Sequence, residues 1–154
     1  MQRQNIDSGN AFDWGKTSQD YGKFRDIYPP LFYQKIVERN CGTAGQEVLD
    51  IGTGTGVLPR NMYRFGAHWT GIDIAPNQIA EAKRLSAGME ISYLVSPAEE
   101  LDFAGKQFDC ITACQCYWYF DNQKAAPVFA RLLKPHGELL LLCMEWLPYS
   151  DKIA

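Results

Sequence analysis

The sequence contains no cluster of Lys and Arg dense enough to form a basic stripe, and its net charge at pH 7 is −3. A phosphate-backbone partner is therefore not expected, and a small-molecule substrate is the simpler reading. Long apolar runs are missing too. The longest, Leu139 to Met144, is far shorter than the roughly 20 residues that span a bilayer, so no membrane segment is expected. No basic start is followed by an apolar stretch, so no signal peptide is expected. There is no internal repeat and no low-complexity linker. Histidine is scarce: His68 and His136 both fall in turn-like contexts, and neither is assigned chemistry. The cysteines, Cys41, Cys110, Cys114, Cys116 and Cys143, are odd in number and match no zinc spacing. Cys110, Cys114 and Cys116 fall in or beside an expected buried strand, where a free Cys behaves as a small apolar residue. Neither a metal site nor a disulfide is expected, and the cytoplasm is the expected compartment.

What remains is an ordinary globular balance, 46% apolar and 21% charged over 154 residues. A chain of this length forms one domain that buries roughly 70% of its unfolded surface. The first 28 residues are polar with scattered aromatics, and Pro29-Pro30 ends that stretch. From there, strand and helix patterns alternate. Helices are expected over Pro30–Asn40, Val57–Phe65, Pro76–Ala87 and Asn122–Leu133. Strands are expected over Glu47–Ile51, His68–Ile74, Glu90–Val95, Phe108–Ala113 and Glu138–Met144. A loop with a helical turn spans Ser96 to Lys106, and Pro135-His136-Gly137 reads as a turn. Alternation with short connections implies βαβ units: a doubly wound, mostly parallel α/β sheet with helices on both faces. Leu139 to Leu142 shows no period-two alternation, as for a strand covered on both sides.

The most informative segment is Val48-Leu49-Asp50-Ile51-Gly52-Thr53-Gly54-Thr55-Gly56. A buried strand ends in glycines at alternate positions, and a helix begins just beyond. Such a turn lets the backbone approach a ligand closely and offers it free helix N–H groups. A dinucleotide fingerprint would be G-x-G-x-x-G, but Val57 stands where its third glycine belongs. Asp50, two residues before the first glycine, would repel a diphosphate and accept a hydrogen bond from an ammonium group. A plain glycine-rich turn is the alternative. Asp73, ending the next strand roughly 20 residues beyond the glycines, is placed as a ribose-binding acid should be. A carboxylate there can accept from both sugar hydroxyls. A helix-capping Asp ahead of Pro76 is the competing reading.

Five segments in family-like order carry a resemblance over roughly residues 46–142: VLDIGTGTG, GIDIAPNQIAEAK, SPAEELDF, KQFDCITACQCYWYFD and LLKPHGELLL. The sequence resembles the class I S-adenosylmethionine (SAM)-dependent methyltransferases. The likeness is to the small-molecule branch that includes ubiquinone/menaquinone-type and trans-aconitate-type enzymes. It implies a Rossmann-like SAM-binding domain over residues 30–154 and a lid-like segment over residues 1–29. In that lid Tyr21 and Arg25 would close over the cofactor, although a solvent-facing Arg25 is the alternative. Asp50 and the turn Gly52, Thr53, Gly54 and Gly56 would hold the methionine part of SAM. Asp73 would bind the ribose, Ile74 would flank the adenine and Gln78 would lie near the adenosine. The Ala98 backbone and the Glu99 side chain would meet the adenine amino group, unless Glu99 and Glu100 are a solvated acidic pair. Gln115 would lie beside the methionine moiety. Tyr117 and Trp118 would wall the sulfonium and the acceptor, where a cation is favoured over ring faces, or else pack in the core.

Two departures bear on activity. The family's recurring aromatic–His–Trp–Phe–Asp segment has Trp118 in place of the His, so no general base is assigned. The fold usually continues into two further strands, which this sequence lacks. The expected fifth strand, residues 138–144, would then be an open edge. A fragment of a longer protein, a homodimer through that edge, or cover from the N-terminal segment would each explain it. Two readings compete with catalysis: a non-catalytic SAM-binding module and a nicotinamide-dependent oxidoreductase. The glycine spacing and Asp50 disfavour the second.

Overall fold

The computed structural model describes residues 28–144, so Tyr21 and Arg25 of the expected lid lie outside the described residues. The elements run α1 (Pro30–Glu38), β1 (Glu47–Ile51), α2 (Val57–Met62), β2 (His68–Asp73), α3 (Pro76–Leu85), β3 (Ser92–Val95), β4 (Phe108–Cys114), α4 (Asn122–Leu132) and β5 (Leu133–Leu142). Short 3-10 turns cover Tyr63–Phe65, Ala98–Glu100 and Tyr117–Tyr119. Local chemistry sets the helix starts. Pro30 and Pro76 open α1 and α3, where a missing N–H costs nothing. Asp121 caps α4, its side chain accepting from the Gln123 N–H.

The five strands form one parallel sheet in the order β3-β2-β1-β4-β5. The chain moves outward from β1 to β3, then returns across the sheet to β4 and β5. The carboxyl ends of β1 and β4 therefore flank the point where the winding reverses, and a crevice opens there in such sheets. Alternate residues of each strand face opposite layers. Val48, Trp69 and Cys110 pack with Tyr33 and Ile36 of α1 and Leu58 and Met62 of α2. Leu49, Ile51, Ile72 and Ile111 pack on the other face with Ala125, Phe129 and Leu132 of α4. Right-handed crossovers produce this two-sided cover.

Three expectations are corrected. First, β5 begins at Leu133, straight off α4, and the expected turn at Pro135-His136-Gly137 lies inside the strand. Phe108 pairs with Leu133 but Cys110 pairs with Glu138, so the intervening residues bulge, with His136 at φ 68°. The Lys134 ammonium, 2.8 Å from Asp109, ties the bulge to β4. Second, β5 is not covered on both faces. Leu140 and Leu142 pack with the α1–α2 layer, whereas Leu139 and Leu141 are 37% and 48% exposed. The α4 layer takes in Leu133 but neither of those two leucines, so the apolar run outlasts its cover. Third, Cys41 and Cys110 form a disulfide, with Cα atoms 5.9 Å apart and a sequence separation of 69. Both are fully buried where the end of α1 meets β4. Only packing brings them together, and their spacing carried no sign of it. Cys114, Cys116 and Cys143 are outside this disulfide and keep their thiols.

Candidate functional site

A cleft of about 330 Å³ opens at the carboxyl ends of β1 to β4. Each strand contributes its last residue or the turn that follows: Ile51, Gly52 and Gly54 from β1, Asp73 and Ile74 from β2, Ser96 to Glu99 from β3, and Cys114 to Cys116 from β4. Gln78 reaches in from the first turn of α3, and Trp118, Tyr119 and Phe120 close the side beyond β4. A smaller cavity of about 40 Å³ adjoins it, sharing Gly52, Gly54 and Cys114. Tyr28, Asp50, Thr53, Val57 and Leu58 complete its lining.

The glycine turn is shaped by contacts as much as by conformation. Gly52 sits at φ 65°, and a Cβ there would lie 2.7 Å from the Cys116 sulfur. The Cys116 thiol donates to the Ile51 carbonyl at 3.1 Å, so the β4 turn closes directly onto the β1 turn. Burial, followed by the nearby Asp50 charge, pushes that thiol well above its usual pKa. Gly56 is placed differently from Gly52 and Gly54. It lines neither cavity; it caps α2 in the left-handed region and leaves room for the Tyr93 hydroxyl.

Asp73 sits where the pattern put it, and it acts twice. One carboxylate oxygen accepts from the Gly54 N–H at 2.9 Å, and the other accepts from the Ala75 N–H at 2.9 Å. The acid therefore pins the glycine turn and caps the start of α3 while facing the cleft. Burial raises its pKa, and the backbone N–H groups of Ala75, Gly54 and Ile74 oppose that rise. The two oxygens offer about four acceptor sites, more than these N–H groups use, so a sugar hydroxyl can still be received.

Asp50 is 1% exposed and borders only the small cavity. The Thr112 hydroxyl donates to its Oδ1 at 2.7 Å. Burial raises its pKa to about 6, against the favourable hydroxyls of Thr53 and Thr112, and the Asp73 charge adds to the rise. The two acids thus face two adjoining compartments, a narrow one behind the glycine turn and a wide one in front of it.

The remaining expected residues divide. Ile74 stands at the rim, 66% exposed, while Gln78 and Ala98 are buried wall. Glu99 lines the cleft, but its Oε1 already accepts from the Asp121 N–H at 2.9 Å. Gln115 lines the cleft in a left-handed conformation, φ 59°, uncommon for a side chain of its size. Its Nε2 donates to the Met144 carbonyl at 3.2 Å. Trp118 is a half-exposed wall of the cleft, but Tyr117 is not in the lining. Tyr117 packs instead toward Phe120 and the α4 layer. The 3-10 turn explains the swap: it directs Trp118 and Tyr119 outward and Tyr117 inward. Tyr28, Tyr119 and Thr112 were not picked out beforehand. A buried Thr in a strand carries no chemical signal in sequence, and the aromatic run did not say which ring faced which way.

Residues 49–141 match the family model described as a methyltransferase domain. The chain belongs to this family. It is 36% identical over 126 residues to a ubiquinone biosynthesis O-methyltransferase of Salmonella paratyphi A, covering 77% of this chain and 51% of that protein. The chain thus spans about half the length of the curated relatives it matches. Its fold is shared with a TehB-like SAM-dependent methyltransferase from Corynebacterium glutamicum, with a TM-score of 0.69, 18% identity, 82% of this chain and 72% of that one covered. It is shared also with a SAM-dependent methyltransferase from Geobacter sulfurreducens in complex with S-adenosyl-L-homocysteine, with a TM-score of 0.67, 20% identity, 86% of this chain and 55% of that one covered. Among the described residues no helix is long and apolar enough to cross a membrane.

Proposed function

We propose that this methyltransferase domain binds S-adenosylmethionine in the cleft and transfers its methyl group to a small-molecule acceptor. The observation that carries the reading is the division of the two acids. Asp73 fronts a cleft of about 330 Å³, within the usual range for small-ligand pockets. Asp50 closes the small compartment behind the glycine turn. A sugar diol suits the first, and an ammonium suits the second. A diphosphate would meet a carboxylate at either place.

SAM supplies, when bound, a methyl group already activated on a sulfonium. The residues of the chain are left with binding, orientation and exclusion of water. Ile51, Ile72, Pro97 and Ala98 form an apolar floor for a flat base. Trp118 and Tyr119 offer ring faces beside the turn that follows β4, a favourable setting for a cation and for an aromatic acceptor. The Salmonella relative's name supports an oxygen acceptor, and we extend that to this chain as part of the proposal. A small molecule rather than nucleic acid is the acceptor class. Among the described residues β5 ends the sheet and Leu139 and Leu141 are exposed, which supports pairing with a second copy. A concentration-independent monomer in sedimentation would count against that pairing. A cytoplasmic location is part of the same reading, although the Cys41–Cys110 bond argues the other way, since cytosolic disulfides are rare.

Calorimetry with SAM, S-adenosylhomocysteine and NADH side by side tests the cofactor. The expected result is binding of the first two and not of NADH. Binding of NADH alone would overturn the proposal. A non-catalytic SAM-binding module is separated by labelled methyl transfer into a metabolite pool.

A further inference from the structure

We propose that Thr112 is a positioning residue for the cofactor: its buried hydroxyl, paired across the sheet with Asp50, holds that carboxylate ready to receive the ammonium group of the ligand's amino-acid arm. The inference rests on the SAM reading above and adds a residue to which the resemblance assigned no role.

Thr112 and Asp50 are register partners on neighbouring parallel strands, β4 and β1. The Thr112 Oγ1 to Asp50 Oδ1 distance is 2.7 Å, while the same hydroxyl is 3.5 Å from the Leu49 carbonyl. The carboxylate is therefore the acceptor it serves. Thr112 is 0% exposed and Asp50 1%, so water does not compete for that bond. A hydrogen bond to a charged, desolvated acceptor is among the stronger kinds. It also fixes rotation of the carboxylate about its Cβ–Cγ bond. Asp50 in turn borders the small cavity that adjoins the cleft through Gly52 and Gly54. A hydroxyl at this position thus acts on the ligand only through the acid.

The hydroxyls of Thr53 and Thr112 both favour the charged form of Asp50, and the other groups around it do not. Asp73 from β2 opposes its ionisation, and Cys114 and Tyr28 border the same cavity without positive charge. Cys116 and Tyr93 both feel the Asp50 charge, and burial, their main cause, lifts their own pKa values, so they remain neutral at pH 7. Arg60 of α2 acts on Tyr93, and its Nε donates to the Thr55 carbonyl. Thr53 is the other hydroxyl close enough to favour the charged form.

The test uses two ligands. S-adenosylhomocysteine carries the ammonium; 5′-methylthioadenosine has the adenosine and the thioether but no amino-acid arm. In the wild type, S-adenosylhomocysteine affinity should rise as Asp50 ionises through pH about 6, then fall at alkaline pH as the ligand's own amine loses its proton. Thr112→Val keeps the shape and removes the donor. The acid limb should move up by about one pH unit, weakening S-adenosylhomocysteine about fivefold at pH 6 and little at pH 7.5. Methylthioadenosine affinity should be unchanged, and Thr112→Ser should restore the wild-type profile. If the Val variant does not fold, Thr112→Cys, which offers only a weak donor, makes the same comparison. Equal weakening of both ligands at every pH, or an unmoved acid limb, overturns the assignment of Thr112 and leaves the cofactor reading standing. Wild-type protein that binds neither ligand overturns both.

Discussion

Replacing Asp73 removes an acid that the structure uses in two ways, and the size of each loss can be worked out separately. In Asp73→Ala, the Gly54 and Ala75 N–H groups lose acceptors at 2.9 Å. A hydrogen bond to a charged group contributes about 1.5–3 kcal/mol. Burial of the carboxylate already offsets part of that, as its raised pKa shows. A net loss of about 2 kcal/mol follows, or roughly 4–8 °C in Tm for a domain of this size. Ligand binding loses more, because the sugar hydroxyls lose a charged acceptor. About 3 kcal/mol corresponds to at least a hundredfold in Kd. Affinity thus suffers more than folding, but the fold suffers as well. Asp73→Asn separates the two effects, since its one carbonyl oxygen can still accept from one of the two N–H groups. The assay is calorimetric titration with S-adenosylhomocysteine at a temperature where thermal melts show each variant folded. An Asn variant that melts like the wild type and binds with unchanged affinity would refute the ribose assignment.

Two further perturbations follow from the same geometry. Asp50 has its pKa raised from 3.8 to about 6 in the folded chain, so the native state favours the protonated acid. Its stabilising contribution is complete below pH 3.8 and is lost as pH rises through about 6. Asp50→Asn should therefore stabilise the protein by about 3 kcal/mol at pH 7 and by almost nothing near pH 4, while weakening S-adenosylhomocysteine. Urea unfolding at the two pH values measures this, and an equal gain at both would show that the charge is not the cause. The Cys41–Cys110 bond closes a span of 69 residues. Reduction, or Cys41→Ser, should lower stability by about 4 kcal/mol on the chain-entropy account. A thiol titration of the unfolded, unreduced protein should find three reactive groups, Cys114, Cys116 and Cys143. Finding five would remove the disulfide.

The sequence by itself determined the order of strands and helices, the parallel sheet, and the place of the two acids and the glycines. These are local properties. A strand that must be buried, a turn that must reach left-handed φ, and a proline at a helix start each leave a mark within a few residues. The strand boundaries for β1 and β2 were legible to within a residue for that reason. What only the tertiary structure decided involves partners far apart in sequence. Thr112 meets Asp50, and Cys41 meets Cys110, across the sheet. The leucines of β5 looked doubly buried, yet the α4 layer stops short of two of them. Which of three consecutive aromatics turned inward was set by a short 3-10 turn, whose period a three-residue segment is too brief to reveal. Burial and pairing across strands depend on where the neighbouring element ends, and no residue carries that information alone.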